Sequence, residues 1–220
     1  MGERWLAIDT SSRRGSLAID WEGELRQAEL LDSRAHASDL LPALERMLES
    51  VGAERVEGVL PFSAIVVGTG PGSYTGLRIG IATARSLAWA SAARLIGVPS
   101  FEALAFAELA PGQSAAIAQD ARAGRFYYAR YTREQDALCV DAEPQLLTKE
   151  RMAAALKDEA RILGDPGLAK KLELPADCAA KLLGDPWPSA AALLQLGRER
   201  SAREQAGEVQ PLYLRAFGEN

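Results

Sequence analysis

A glycine-rich segment between residues 66 and 85 combines residue types and spacing that could do chemistry. Gly70 and Gly72 follow a short apolar run, and Ser73 or Thr75 then offers a hydroxyl for the N-cap of a helix. In such a turn, backbone N–H groups at the positive end of a helix can bind a phosphate group. Phosphate binding is therefore one interpretation of this segment.

The spacing of these glycines does not match the common nucleotide-binding motifs. No Gly-Lys-Ser/Thr follows Gly70 or Gly76, and no third glycine stands in register for a dinucleotide fingerprint. The other interpretation is structural: the glycines allow positive φ in the turn, and Gly76 and Gly80 allow a neighbouring segment to pack against the helix backbone. We favour the structural interpretation.

Side chains that commonly bind zinc or act as nucleophiles are sparse. His36 is the single histidine, which excludes His–His zinc motifs, and it is more simply a turn or cap residue than a ligand. Cys139 and Cys178 are isolated and no spacing pairs them with a general base. The sequence therefore predicts no catalytic residues.

Arginines alternate with aromatic residues between positions 122 and 133. This composition is typical of an RNA-contacting strand, with Arg125, Tyr127 and Tyr131 on one face and Phe126 and Tyr128 on the other. The alternative is a small-domain sheet with one packed and one charged face. We favour the sheet.

The elements that must position these residues form an α/β pattern. In the first half, the pattern predicts strands at 5–8, 15–21, 25–31, 64–67 and 95–98, and helices at 38–51, 77–93 and 100–109. In the second half it predicts strands at 114–119 and 125–132 joined by a five-residue connection, a helix after residue 148, strand ends at 162–163 and 182–183, and a helix from 188 to about 203.

A Pro-Gly pair and a change in composition predict two domains. Residues 1–110 form a first α/β domain that carries the glycine-rich turn and the helices expected to bind a partner. Residues 111–220 form a smaller second α/β domain, whose C-terminal helix is expected to pack back on the first.

Composition limits the class of protein. The 220 residues carry a net charge of −5, which argues against a large nucleic-acid footprint but allows a local basic patch. Two isolated cysteines fit a reducing compartment, and neither a signal segment nor a long apolar stretch is present. We expect a cytoplasmic protein that does not bind a membrane.

Three groups of residues together resemble one protein family. They are Ala7-Ile8-Asp9-Thr10-Ser11-Ser12, the segment from Gly70 to Gly80, and Asp120-Ala-Arg122 with Pro211-Leu-Tyr-Leu-Arg215. They resemble the TsaB (YeaZ) family of bacterial proteins, which is required for making threonylcarbamoyladenosine beside the anticodon of tRNAs. The resemblance covers nearly the whole chain, and its middle segment is the most specific.

The resemblance implies the actin/hexokinase-like ATPase fold, which is ribonuclease H-like, with two domains of which the second is reduced. In ATPases of this fold an aspartate after the first strand positions magnesium, so Asp9, Thr10 and Ser11 look like a remnant of that site. Together with Gly70, Gly72 and Ser73 they are the weak candidates for cofactor binding. A hairpin that caps its own turn is the alternative, and we favour it for the chain acting alone.

The resemblance also implies the function. It predicts a non-catalytic partner subunit that binds and activates the catalytic paralogue TsaD, which transfers a threonylcarbamoyl group to adenosine in tRNA. The ATPase TsaE is the expected third component, and tRNA is contacted indirectly through the complex. No cofactor is expected on this chain alone, and ATP and Mg²⁺ are assigned to the partner complex. The alternative is a small ATPase or kinase-like enzyme of the same fold.

Helical spacing predicts the surface that binds the partner. On the helix after the glycine-rich turn, Arg78, Ala82, Arg85 and Trp89 form one stripe at i, i+4, i+7 and i+11. Arginine and tryptophan are enriched at the centres of interfaces. The preceding helix is expected to add Leu40, Leu44 and Met47 to this surface. A weak homodimer through the same surface is expected when the partner is absent.

Overall fold

The computed structural model describes residues 2–30, 36–135, 137–165, 167–203 and 209–214. Contacts within the chain divide it into two compact units, one of residues 1–103 with 188–212 and one of residues 104–187 with 213–220. The first unit's N-terminal segment ends at Ala103, whereas the sequence predicts the domain boundary after residue 110. The C-terminal helix belongs to the first unit. The predicted α/β class with two domains agrees with these units.

The first unit is built on a five-stranded sheet in the order β3-β2-β1-β4-β5. Its elements are β1 (Arg4–Asp9), β2 (Gly15–Trp21), β3 (Glu24–Leu30), α1 (His36–Ser50), β4 (Ala64–Gly68), α2 (Tyr74–Ser91), β5 (Arg94–Val98), the start of α3 (Ser100–Glu108) and α7 (Ala190–Ala202). The first three strands pair antiparallel, whereas β1, β4 and β5 run parallel. The carboxyl ends of β1, β4 and β5 therefore meet at one edge of the sheet.

Helices cover both faces of this sheet because its central strands are apolar on both sides. In β4, Ile65 and Val67 join the core formed with α1 and α2, whereas Val66 contacts Gly197 of α7. Strand β4 is buried at every position, which fixes it in the middle of the layers.

The second unit has a four-stranded sheet in the order β8-β7-β6-β9. Its elements are β6 (Ser114–Arg122), β7 (Arg125–Glu134), β8 (Ala137–Thr148), α4 (Lys149–Leu156), β9 (Ile162–Leu163), α5 (Gly167–Leu172) and α6 (Ala176–Ala179). Met152, Leu156, Leu168 and Leu172 of its helices pack with Phe126 and other buried residues of the sheet.

Three details of the second unit correct the sequence-based predictions. Strands β6 and β7 extend further than expected, so the turn between them has two residues, Ala123 and Gly124, instead of five. The expected strand end at 182–183 is a single bridge between Ile162 and Leu182. Strand β8 was not predicted, because Pro144 and several charged residues mask its pattern. An edge strand tolerates such residues.

Candidate functional site

The weak candidates for cofactor binding lie together, at the carboxyl ends of β1, β4 and β5. Asp9 ends β1, Gly68 ends β4, and Ser100 begins α3 directly after β5. This edge is where parallel α/β sheets commonly bind ligands. The arrangement is therefore in the right place for a nucleotide.

The carboxylate of Asp9 is fully buried and is hydrogen-bonded by the chain itself. Its Oδ1 accepts from the Ser11 amide at 2.8 Å and from the Ser11 hydroxyl at 2.7 Å, and its Oδ2 accepts from the Ser100 hydroxyl at 2.7 Å. The Ser100 hydroxyl in turn accepts from the Gly70 amide at 3.0 Å. Asp9 thus ties the end of β1 to α3 and to the glycine-rich turn.

The glycine-rich turn is filled by the segment that follows β1. The Ser73 amide donates to the Ser11 carbonyl at 2.6 Å, and the Thr10 hydroxyl donates to the Gly76 carbonyl at 2.7 Å. The Gly76 amide donates to the hydroxyl of Ser73, which is the N-cap of α2. The amides of Gly70, Ser73 and Gly76 are therefore hydrogen-bonded within the chain.

Three glycines are required by this close packing. A Cβ atom at Gly72 would overlap the Ser11 carbonyl, and one at Gly76 would overlap the Thr10 carbonyl, each closer than 3.0 Å. At Gly68 a Cβ would collide with the Asp9 carboxylate. The structural interpretation of the glycines thus agrees with the geometry, because what they admit is the chain's own backbone.

This packing bears on the six cofactor candidates, Asp9, Thr10, Ser11, Gly70, Gly72 and Ser73. The structure brings all six together, but they contact each other instead of lining an open cradle. A phosphate in this turn would have to displace residues 10 and 11. Nor do the described residues contain a group of three His, Cys, Asp or Glu side chains that could hold a metal ion.

Helix α2 presents the predicted stripe on its exposed side. Arg78, Ala82, Arg85 and Trp89 are all exposed, and Trp89 retains 86 % of its accessible surface. The guanidinium of Arg78 stacks over the ring of Tyr74 at 4.9 Å from its centroid.

The opposite side of α2 is buried against the sheet. It carries Leu77, Ile81, Ala84 and Ala88, the stripe that the sequence assigns to the core.

Arg85 differs from its neighbours in the stripe because it has a partner within the chain. Its guanidinium donates to the Val209 carbonyl at 2.5 Å, and the Val209 side chain is buried in the core of the first unit. The Leu212 amide donates to the Thr69 carbonyl at 2.7 Å. Residues 209–212 thus connect α2 with the glycine-rich turn, and Arg85 holds one end of this connection.

The three residues expected from α1 do not lie on the surface. Leu40, Leu44 and Met47 are 1 %, 1 % and 6 % exposed and belong to the core of the first unit. They share one helical face at i, i+4 and i+7, and this face packs on the sheet. Leu41, one position round the helix, is the leucine of α1 that is exposed, at 50 %. The prediction that these three residues belong to the partner-binding surface is therefore wrong, because they form part of the core.

Three of the four aromatic residues of β7 are packed. Phe126, Tyr128 and Tyr131 are buried, which leaves these three rings unavailable for stacking on bases. Arg130 forms ion pairs with Asp141 at 2.7 Å and Glu159 at 3.1 Å. The interpretation as a packed sheet in the second unit is favoured over an RNA-stacking strand.

The thiol groups show no sign of activation. Burial raises the pKa of Cys178, whose thiol faces the Leu156 carbonyl at 3.4 Å. Burial and the nearby Glu134 carboxylate raise the pKa of Cys139. A raised pKa lowers the thiolate fraction at neutral pH. The side chain of His36 lies outside the described part of the chain, as does Arg215.

None of the described helices is both long and apolar enough to cross a lipid bilayer.

Sequence comparison matches the chain to known proteins. The family model described as "TsaD: tRNA N6-adenosine threonylcarbamoyltransferase" matches residues 30–179. The protein named "tRNA threonylcarbamoyladenosine biosynthesis protein TsaB" of Bacillus subtilis is 31 % identical over 96 % of this chain and 93 % of its own length. Proteins of the same name from Haemophilus influenzae and Escherichia coli are 33 % and 31 % identical over 59 % and 66 % of this chain. Those two alignments span 54 % and 62 % of the relatives' lengths.

Solved structures agree with these matches. YeaZ from Pseudomonas aeruginosa superposes with a TM-score of 0.79 at 28 % identity, covering 96 % of this chain and all of that one. Another structure, described as an uncharacterized protein with similarity to peptidase YEAZ from Pseudomonas aeruginosa, has a TM-score of 0.77 at 29 % identity and covers 97 % of this chain and all of that one. The fold is thus the α/β fold of the YeaZ structures, in agreement with the predicted α/β class. The chain belongs to the TsaB (YeaZ) family.

Proposed function

We propose that this chain is a non-catalytic subunit of tRNA threonylcarbamoyladenosine biosynthesis that binds and activates a catalytic TsaD. TsaE is the third component, ATP and Mg²⁺ act in the complex, and tRNA is the substrate of the complex. The relatives are named as tRNA threonylcarbamoyladenosine biosynthesis proteins, and this supports a role in the same process.

The observation that carries the non-catalytic part of the proposal is the closed packing around Asp9. Both carboxylate oxygens are hydrogen-bonded by Ser11 and Ser100, and three amides of the glycine-rich turn are hydrogen-bonded within the chain. A magnesium–phosphate group bound here would have to break several buried hydrogen bonds, each costly to leave unmade. This packing argues against the ATPase or kinase alternative.

The exposed face of α2 supports the partner-binding part. A tryptophan that is 86 % exposed leaves a large apolar area in water, and its burial in an interface would be worth about 1.5–3 kcal/mol. The exposed Arg78 and Ala82 continue the same face toward the glycine-rich turn. Tryptophan and arginine commonly dominate the binding energy of interfaces.

Co-purification with TsaD from the same source tests the proposal. We expect TsaD to bind the wild-type chain and to lose at least tenfold in affinity for Trp89→Ala. The matched control is Val56→Ala, which removes another exposed hydrophobic side chain, 58 % exposed, from a loop. Equal binding of TsaD by both variants would show that α2 is not part of the interface. Absence of binding by the wild type would contradict the proposed function.

A nucleotide titration of the isolated chain tests the non-catalytic part. We expect no measurable heat with ATP and Mg²⁺ at concentrations up to about 1 mM, the upper range of common substrate affinities. Saturable binding at micromolar concentration would favour the ATPase or kinase alternative.

A further inference from the structure

The tip of the β6–β7 hairpin places two arginines side by side. Arg122 and Arg125 are register partners on the two strands, both are exposed, and only Ala123 and Gly124 separate them. This tip includes the Asp120-Ala-Arg122 motif, for which the proposed function gives no role.

Within the described residues, neither guanidinium group forms a hydrogen bond or an ion pair. The Asp120 carboxylate interacts electrostatically with Arg122, but its ion pair is with Lys171. Arg122 and Arg125 lie directly opposite each other, and like charges so placed on paired strands destabilise a hairpin. The other arginines of β7 are engaged: Arg130 pairs with two carboxylates, and Arg133 donates to the carbonyls of Phe106 and Leu109. The tip therefore keeps an electrostatic cost that the rest of β7 avoids.

The backbone at the tip is also held in an unfavourable conformation. Arg122 has φ of 66° and Ala123 has φ of 49°, in the left-handed region that side chains with a Cβ rarely adopt. Asp120 stabilises this turn, because its Oδ1 accepts from the Arg122 amide at 2.8 Å, and Lys171 forms an ion pair with the same carboxylate. Strain that is kept by dedicated contacts is typical of functional positions.

The chemistry of the tip fits phosphate groups. Arginine presents several donors in a plane and binds phosphate oxygens in a bidentate manner. Among the described residues, the carboxylate shown to act on the tip, that of Asp120, is paired with Lys171. Within residues 114–134, all of which the structure describes, no large hydrophobic side chain is exposed, so the apolar centre of a typical protein interface is missing.

These features favour a phosphodiester backbone over an acidic protein. The geometry points to a direct contact between the β6–β7 hairpin tip and the phosphate backbone of RNA, made by Arg122 and Arg125. The identification of that RNA as tRNA rests on the proposed function. This direct contact between the hairpin tip and tRNA would act in addition to the indirect contact that the chain has with tRNA through its partners.

Binding of fluorescent tRNA to the intact chain over a range of salt concentrations tests this inference. For Arg122→Ala with Arg125→Ala we expect a loss of affinity of about tenfold or more at low salt. The slope of log K against log salt falls in magnitude by about 1.4–1.8, because each lost phosphate contact removes about 0.7–0.9. Wild-type chain that binds no tRNA, or a double variant with unchanged affinity and slope, would overturn the inference.

A matched control removes two arginines from the first unit whose side chains are 41 % and 45 % exposed. Arg26→Ala with Arg55→Ala changes the net charge by the same amount, and in the structure these arginines pair with Glu24 and Glu45. We expect this control to bind tRNA nearly as the wild type does. An equal loss in the control would show that total charge alone determines the affinity, and this would also overturn the inference.

Arg122→Gly separates a binding role from a structural one. Glycine adopts positive φ without strain, so we expect the unfolding temperature to stay equal or to rise by about 2–4 °C while tRNA affinity falls. A fall in both would mean that the tip is a structural element only.

Binding to TsaD distinguishes this inference from the proposed function. We expect the double variant Arg122→Ala with Arg125→Ala to bind TsaD normally. Loss of TsaD binding with tRNA affinity retained would identify the tip as a protein contact and overturn the inference. Arginine-dependent tRNA binding by a wild-type chain that does not bind TsaD would contradict the proposed function alone.

Discussion

Asp9 shows how the surroundings of a single residue determine its role. It stands at the end of β1, where the family resemblance implies a remnant of a magnesium site, but its oxygens accept from Ser11 and Ser100. The same carboxylate therefore acts as a structural connection between β1, the glycine-rich turn and α3.

Replacement of Asp9 tests this structural role. For Asp9→Ala we expect the free energy of unfolding to fall by about 3 kcal/mol or more, since three buried donors lose a charged acceptor. Asp158→Ala is the control, because Asp158 is exposed, and it should change stability by no more than about 0.5 kcal/mol. Urea denaturation measures both. A stable Asp9→Ala variant would show that the buried network is not required for folding.

Arg85 and Trp89 are close on α2 but have different roles. Arg85→Ala removes the hydrogen bond to the Val209 carbonyl, and we expect a loss of about 1 kcal/mol in the free energy of unfolding. Trp89→Ala should leave stability within about 0.5 kcal/mol of the wild type, because Trp89 is 86 % exposed. Thermal unfolding of the two single variants checks this. Marked destabilisation by Trp89→Ala would place that side chain in the folded core.

At the residue scale, the sequence indicates where a helix must lack a Cβ atom but not which contacts require it. The need for glycine at positions 76 and 80 is visible in the sequence, because a helix without a Cβ at those positions admits another segment. Which segment it admits depends on the pairing of β1 with β4, which is non-local. The link between Arg85 and Val209 is unpredictable for the same reason, since 124 positions separate the two residues.

Helix α2 is the element in which pattern and structure agree best. Its buried and exposed sides follow from the 3.6-residue period, and Ser73 accepts from the Gly76 amide at its start. For α1 the same period locates the core face, but Leu40, Leu44 and Met47 on that face were also assigned to the interface. A leucine-rich helix has more apolar residues than one face needs, and only the packing distinguishes Leu41 from the others.

The geometry of α2 predicts how two copies would pair. If two α2 helices pack antiparallel about a two-fold axis between Thr83 and Ala84, Arg78 of one copy lies opposite Trp89 of the other. This arrangement offers two equivalent cation–π contacts, each worth about 0.5–1 kcal/mol at an exposed site. We therefore expect a weak homodimer.

Sedimentation velocity over a wide range of concentration measures this self-association. Trp89→Ala should shift the chain to monomer, and Val56→Ala should not. Dimerisation of Trp89→Ala equal to that of the wild type would exclude α2 as the dimer contact.

At the scale of the whole molecule, the α/β class and the existence of two units were predictable, because strand and helix patterns alternate along the first half. The boundary between the two units was less predictable. Residues 188–212 return to the first unit, and α7 covers the sheet face on which the side chain of Val66 lies. The sequence-based expectation is that α7 packs back on the first domain, although its hydrophobic pattern by itself shows only that the helix must be packed.

The isolated chain should neither turn over ATP at an enzymatic rate nor modify tRNA. We expect ATP turnover far below about 1 per second and no threonylcarbamoyl transfer, because the turn that would hold the phosphates is filled by residues 10 and 11. A phosphate-release assay with the purified wild-type chain measures the turnover. Turnover at an ordinary enzyme rate would favour the ATPase alternative.

Reconstituted threonylcarbamoyl transfer to tRNA is the most direct test of the proposed function. The assay contains TsaD, TsaE, ATP, Mg²⁺, the threonylcarbamoyl adenylate and unmodified tRNA, with or without this chain. We predict modification only when the chain is present, full activity with Val56→Ala, and at least a tenfold lower rate with Trp89→Ala at limiting concentration. Equal modification without the chain, or full activity with Trp89→Ala, would contradict a partner subunit that acts through α2.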